Sequence, residues 1–321
     1  MSPSLSLFIL GLGLISVVRA QSPVWGQCGG NGWTGSTACA SGFVTSMRYS
    51  QCVPSSSAPS STGSAPPAST PSSSVKANYW FSFGDSYTAT AFSPDSTPPQ
   101  PSNPMGNPSF PGGTATGGPN WIDYDTVTFN NSLVLTWNYA YGGATIDANL
   151  APPYTPTVLS LTDQVNEFLN GAAKKPASAP WTGENSLFSV WIGINDLSWS
   201  WWQTGDRLAY SDTLLDAEFA LIQKLYNVGA RNFLFLNVPP FQRSPYSLEG
   251  SNTTAPILQG VIEDFNTKLV QRVQDLKANN TGVTTFLWDS YEDFNKILDN
   301  PTQYGFRDAT AFGSGDDLFW G

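Results

Sequence analysis

The chain has 321 residues, a formal net charge of −10, no histidine and only three cysteines. So acidic a chain repels polyanions, which excludes nucleic acid and anionic membrane surfaces as partners and leaves neutral polymers open. Twelve tryptophans and 13% aromatic residues give ample scope for stacking on such polymers, beside the aromatic core any globular chain needs.

Residues 1–20 read as a secretory signal. A short apolar run over 5–18 is followed by Val18-Arg19-Ala20, which offers small residues for cleavage before Gln21. That run is too short to span a bilayer, and nothing later is long and apolar enough to do so. A secreted, extracellular protein is expected, with no membrane association after cleavage. Residues 21–53 are rich in Gly, Cys, Trp and Ser. Residues 54–74 hold only Pro, Ser, Ala, Thr and Gly, so they cannot bury enough surface to offset ordering entropy and read as an extended linker. Residues 75–321 read as one globular domain. Sequons at Asn130, Asn252 and Asn279 suit a glycoprotein.

Within 75–321, short apolar runs predict buried strands at 78–84, 132–139, 186–194, 231–238 and 284–288. Helical apolar spacing covers 213–227 and 257–277, with Gly229 placed to terminate the first. This alternation predicts an α/β fold with a parallel sheet covered on both faces. Chemistry in such sheets sits beyond the carboxyl ends of the strands. Ser86 and Asn195 fall there, and Gly142 follows another strand.

The run V-W-G-Q-C-G-G-N-G-W-T-G-S-T-A-C-A-S-G at 24–42, with Y-S-Q-C at 49–52, resembles the fungal family 1 carbohydrate-binding module, a small disulfide-rich β fold. The resemblance implies cellulose as a partner, Trp25 and Tyr49 as two of three stacking aromatics, and Gln51 as a hydrogen-bonding neighbour. The family pattern has four cysteines paired first to third and second to fourth; here there are Cys28, Cys39 and Cys52. The stretch 43–50 is also short, with Arg48 at the third stacking position. A Cys39–Cys52 disulfide is still possible and leaves Cys28 unpaired. Loss of one native bridge from so small a domain costs about 2–5 kcal/mol, so a folded binder and a decayed module both remain open.

Three further motifs, F-G-D-S-Y-T-A-T at 83–90, N-Y-A-Y-G-G-A-T at 138–145 and W-I-G-I-N-D-L at 191–197, together resemble the SGNH (GDSL-type) hydrolase superfamily. The flanking residues are most similar to fungal carbohydrate esterases of family sixteen, which remove acetyl groups from sugars. The resemblance implies a flavodoxin-like three-layer sandwich. It makes Ser86 the nucleophile and gives the oxyanion hole to the Ser86 N–H, the Gly142 N–H and the Asn195 side-chain amide. Taken singly, Gly-Asp-Ser reads as a turn, Gly-Gly as a tight loop, and an Asn after a strand as a helix cap. Trp199, Trp201 and Trp202 either form a sugar platform or pack into core and loop, and packing is the expectation.

The family's last motif, D-x-x-H, supplies the base and the acid that orients it. Residues 315–321 read G-D-D-L-F-W-G, a sequence that relatives place just ahead of that motif. The domain is therefore expected to be C-terminally incomplete, with the catalytic His and its Asp absent and part of the sheet uncovered. Asp316 and Asp317 are not assigned as substitutes, because an exposed Asp has a pKa of about 3.9 against about 6.5 for His. The expected function is that of a secreted, monomeric, cellulose-binding acetylesterase acting on acetylated plant cell-wall carbohydrate, inactive as written. A catalytically dead cellulose-binding protein and a truncated gene product are the alternatives. Serine acyl transfer needs no cofactor, and no His/Cys cluster is present to hold a metal, so neither is expected.

Overall fold

The computed structural model describes residues 77–250 and 255–312, together with backbone strands at 43–45, 52–54 and 318–320. The signal, the linker, Cys28, Cys39, Trp25, Tyr49, Gln51, Asn252, Asp316 and Asp317 lie outside the described residues. The chain divides into two compact units, Met1–Ser69 and Thr70–Gly321. In the first, β1 (Phe43–Thr45) pairs antiparallel with β2 (Cys52–Pro54), with Thr45 opposite Cys52.

The second unit is built on a five-stranded parallel sheet. Its strands are β3 (Asn78–Gly84), β4 (Val134–Asn138), β5 (Ser186–Trp191), β6 (Asn232–Leu236) and β7 (Thr284–Trp288), in the order β4-β3-β5-β6-β7. This is the flavodoxin-like order, whose direction reverses between β3 and β5, and ligands in such sheets lie at that reversal. The helices are α1 (Trp121–Val127), α2 (Leu161–Asn170), α3 (Ile194–Ser198), α4 (Arg207–Asn227), α5 (Pro245–Gly250), α6 (Ala255–Asn279) and α7 (Ser290–Asp299). A last parallel pair joins β8 (Asp308–Phe312) to β9 (Leu318–Trp320).

Period-two alternation in β3 sends Phe81 and Phe83 to one face and Trp80 and Ser82 to the other. On the first face, Phe81 meets Trp137, Phe168, Trp181 and Phe188, and Phe235 stacks on Phe219 of α4. Helices α2, α4 and α6 cover this face. On the other, Trp80 packs with Met105, Ile122 and Val127, its indole N–H donates to Ser189 Oγ at 2.8 Å, and α1 and α7 form the cover. The result is a three-layer sandwich.

The strands at 78–84 and 284–288 keep their expected bounds, while three others are shorter. The strand foreseen to run to 194 stops at Trp191, because Gly193 (φ +112°) turns the chain into α3. Helix α4 begins six residues before its apolar spacing does. Asp206 caps it, accepting from Leu208 N–H and Ala209 N–H. Its other end is a Schellman motif: the Gly229 N–H reaches Tyr226 O and the Ala230 N–H reaches Leu225 O, with Gly229 at φ +114°. Helices α1 and α2, unforeseen, start at capping boxes formed by Asn120 with Asp123 and by Ser160 with Asp163. Strand β7 corrects the expectation of burial: its side chains alternate between exposed and half-buried, because it is the edge strand of the sheet.

Candidate active site

The sheet order places the ends of β4, β3 and β5 side by side, and hydrogen bonds between the loops that leave them bring the three candidate residues together. Ser86 follows β3 by two residues, in a turn in which Asp85 O accepts from Thr88 N–H and Ala89 N–H, and Asp85 Oδ1 accepts from Tyr87 N–H. The loop after β4 docks beside that turn through Tyr141 N–H, which donates to Gly84 O at 3.0 Å. Gly142 comes next. On the third side, Asn195 Nδ2 donates to Ala144 O at 2.8 Å. Asn195 does not cap α3: that position belongs to Gly193, and no side chain bonds the helix start.

The donors expected of an oxyanion hole are unengaged. The N–H groups of Ser86 and Gly142 have no acceptor among the described residues. The Asn195 amide uses one of its hydrogens on Ala144 and keeps the second. The Ser86 hydroxyl likewise has no partner among the described residues, and a Cβ built on Gly142 would meet nothing within 4 Å. Open space therefore borders this backbone donor.

Two buried side chains absent from the sequence reading hold this geometry. Gln164 of α2 clamps the end of β3, its Oε1 accepting from Gly84 N–H and its Nε2 donating to Gly84 O, both at 2.9 Å. Asp196, fully buried, accepts the Ile146 N–H at 3.0 and 3.2 Å through its two oxygens. Asn195 and Asp196 thus grip the segment 144–146 at both ends. The adjacency of an acid to Asn195 and a Gln four residues after the α2 cap were the only signals available.

The acids behind the site are buried, and burial raises all three well above the usual carboxylate range. Burial raises Asp85 to about 7, against the pull of the Tyr87 N–H. Burial raises Asp196 to about 8, opposed by the Ile146 N–H and its own backbone and reinforced by Asp85 and Asp147. Glu218 of α4 rises to about 8, again through burial and then through Asp196. A raised carboxyl carries less negative charge at neutral pH than a free one, which favours an oxyanion formed nearby.

Among the described residues no group of His, Cys, Asp and Glu could hold a metal ion, and no helix is long and apolar enough to cross a membrane. Asn279 is exposed at the end of α6, and the half-buried Asn130 donates its amide to Thr126 O. Trp199 and Trp202 correct the packing expectation, since both are exposed; Trp201 is half-buried. A cavity of about 670 Å³ lined by Gln242, Arg243, Glu263, Tyr291 and Asn295 includes none of Ser86, Gly142 or Asn195.

Residues 81–320 match the family described as GDSL-like Lipase/Acylhydrolase, and residues 24–44 match the fungal cellulose binding domain. An acetylesterase of Thermothelomyces thermophilus is 43% identical over 249 residues, spanning 77% of this chain and 82% of that protein. Exoglucanase 3 of Agaricus bisporus is 62% identical over 52 residues, 15% of this chain and 12% of the relative. Among solved structures, an extracellular lipase of Streptomyces rimosus aligns with a TM-score of 0.40 at 14% identity, over 68% of this chain and 82% of that one.

Proposed function

The chain belongs to the GDSL-like lipase/acylhydrolase family, and from that premise we propose that it is a serine acetylesterase of plant cell-wall carbohydrate. In this reading residues 1–20 direct secretion, 21–53 hold the protein on cellulose, 54–74 tether, and 75–321 carry the chemistry. Support comes from the 43% identical acetylesterase, the cellulose-binding match and the convergence of Ser86, Gly142 and Asn195 at the reversal of strand order.

The unengaged donors carry the reading. Ser86 Oγ attacks the acetyl carbonyl carbon as its proton passes to a base. The carbonyl oxygen becomes an oxyanion that accepts from the Ser86 N–H, the Gly142 N–H and the second Asn195 amide hydrogen. Collapse expels the sugar hydroxyl, and water then releases acetate from the acyl-serine. Each such donor is worth about 2.7–4 kcal/mol to the transition state.

The base is not a histidine of these 321 residues, which contain none. That observation favours a second reading, in which the protein binds cellulose and the α/β unit turns nothing over. Aryl acetate hydrolysis by the wild type and by Ser86→Ala, with and without added imidazole, separates the two. The esterase reading expects imidazole to raise the wild-type rate and to leave Ser86→Ala at background. Equal rates in both proteins overturn it. Retention on microcrystalline cellulose, lost in Trp25→Ala/Tyr49→Ala, tests the anchoring role.

A further inference from the structure

Four large aromatic side chains that face solvent lie on, or directly follow, the loops carrying the candidate oxyanion donors. Tyr141, 39% exposed, immediately precedes Gly142. Tyr154, 69% exposed, lies over Gly143: a Cβ there would sit 2.4 Å from Tyr154 Cε1, and φ at this glycine is +80°. Trp199, 43% exposed, is one helical turn beyond Asn195, its N–H donating to Asn195 O at 3.1 Å. Trp202, 63% exposed, follows in the next turn.

Rings of this size are normally drawn into the core, and clustered exposure marks a binding surface. None of the four stacks on another described ring, and none of their phenol or indole polar atoms has a partner among the described residues. Their faces and their polar tips are both available. Residues 148–160, which carry Tyr154, and residues 197–205, which carry both tryptophans, contain no charged side chain. Tyr154 stands between Pro152, Pro153 and Pro156, which restrict its backbone before any ligand arrives.

We infer that Tyr141, Tyr154, Trp199 and Trp202 form a rim that binds an uncharged saccharide chain, pyranose faces on aromatic rings, with one sugar's substituent turned toward Ser86. An aromatic face with a polar tip suits a ring with C–H bonds on its faces and hydroxyls at its edge. Arg207, at the edge of the tryptophan segment, is engaged by the Ser200 and Thr204 carbonyls and the Tyr210 ring, and a polyanionic glycan meets a chain of net charge −10. The inference gives the proposed esterase an extended substrate, and the binding it describes needs no turnover.

The test is isothermal titration of the full chain, carrying Trp25→Ala and Tyr49→Ala to silence the N-terminal module, with unsubstituted xylohexaose. In that background Trp202→Ala and Tyr154→Ala are each expected to weaken binding by about tenfold, with Trp202→Phe and Tyr154→Phe restoring most of it. All four changes are at exposed positions, and circular dichroism verifies that each variant is folded; Trp199→Ala provides a third site. The rim is overturned if xylohexaose does not bind, if the alanine variants bind it as tightly as their parent, or if hexagalacturonate binds equally well. Xylohexaose binding with no Ser86-dependent hydrolysis would leave the rim standing and remove the esterase reading, so the two fail separately.

Discussion

An inner strand and an edge strand of the five-stranded sheet are built differently. At β3, six of seven residues are buried, Phe81 and Phe83 completely, and side chains from α2 and the flanking strands close around them. At β7 the backbone ladder to β6 is as regular, with five registered pairs, yet its side chains are exposed or half-exposed throughout, Phe286 at 53%. Backbone pairing alone therefore does not make a core. The candidate site residues follow β3 and the two strands that flank it. Their loops are fixed there by buried polar side chains, whose hydrogen bonds are strong because water is excluded.

The largest expected effect lies on the packed inner strand. Phe81→Ala removes a ring touching four others and should lower unfolding free energy by about 3–5 kcal/mol, read from urea midpoints. In the candidate site, Asn195→Ala should lower imidazole-supported kcat by about 10²–10³-fold, or 2.7–4 kcal/mol, with KM little changed. A rise in KM alone would reassign Asn195 to ground-state binding. Gln164→Leu strands the N–H and C=O of Gly84, at about 1–3 kcal/mol for each buried group left unpaired. Thermal and urea unfolding would measure that loss.

The buried acids give a smaller effect with a definite sign. Glu218 rises from 4.5 to about 8 on folding, so the native state holds its proton more tightly than the unfolded chain does. Its stabilising contribution is complete below its unfolded value and is lost as pH rises toward 8. Stability should fall over that window, and Glu218→Gln should flatten the decline; urea midpoints at about pH 5 and pH 8.5 compare the two proteins. The smallest effect belongs to β7, where Phe286→Ala should change stability by about 1 kcal/mol or less. A loss there equal to that of Phe81→Ala would erase the contrast between the two strands.

The strand positions and the motif residues could be read in the sequence, but the exposure of β7 could not. An apolar run does not say whether its strand lies inside the sheet or at its edge. The strands 78–84 and 284–288 are bounded apolar runs, and Ser86, Gly142 and Asn195 are themselves the motif residues. Gln164 and Asp196 escaped because their partners are backbone groups of Gly84 and Ile146, 80 and 50 residues away, and a backbone N–H carries no side-chain signature. The first turns of α4 escaped because residues 207–212 lack apolar spacing and Asp206 supplies the start instead. Trp199 and Trp202 were misjudged because a tryptophan-rich run reads as packing material, and only the folded chain shows which side of the turn it occupies.

The two glycines on the loops beside Ser86 differ in what they would tolerate. Gly84 lies at φ +154°, and a Cβ there would sit 2.4 Å from Trp191 O, a backbone atom that cannot move aside without parting β3 from β5. Gly142 faces empty space. In a saturated library of variants, a selection for soluble expression should return glycine alone at 84 and a wide alphabet at 142. A selection for turnover should then narrow 142 as well. Sorting one library twice would thus tell a glycine kept by architecture from a glycine kept by its substrate.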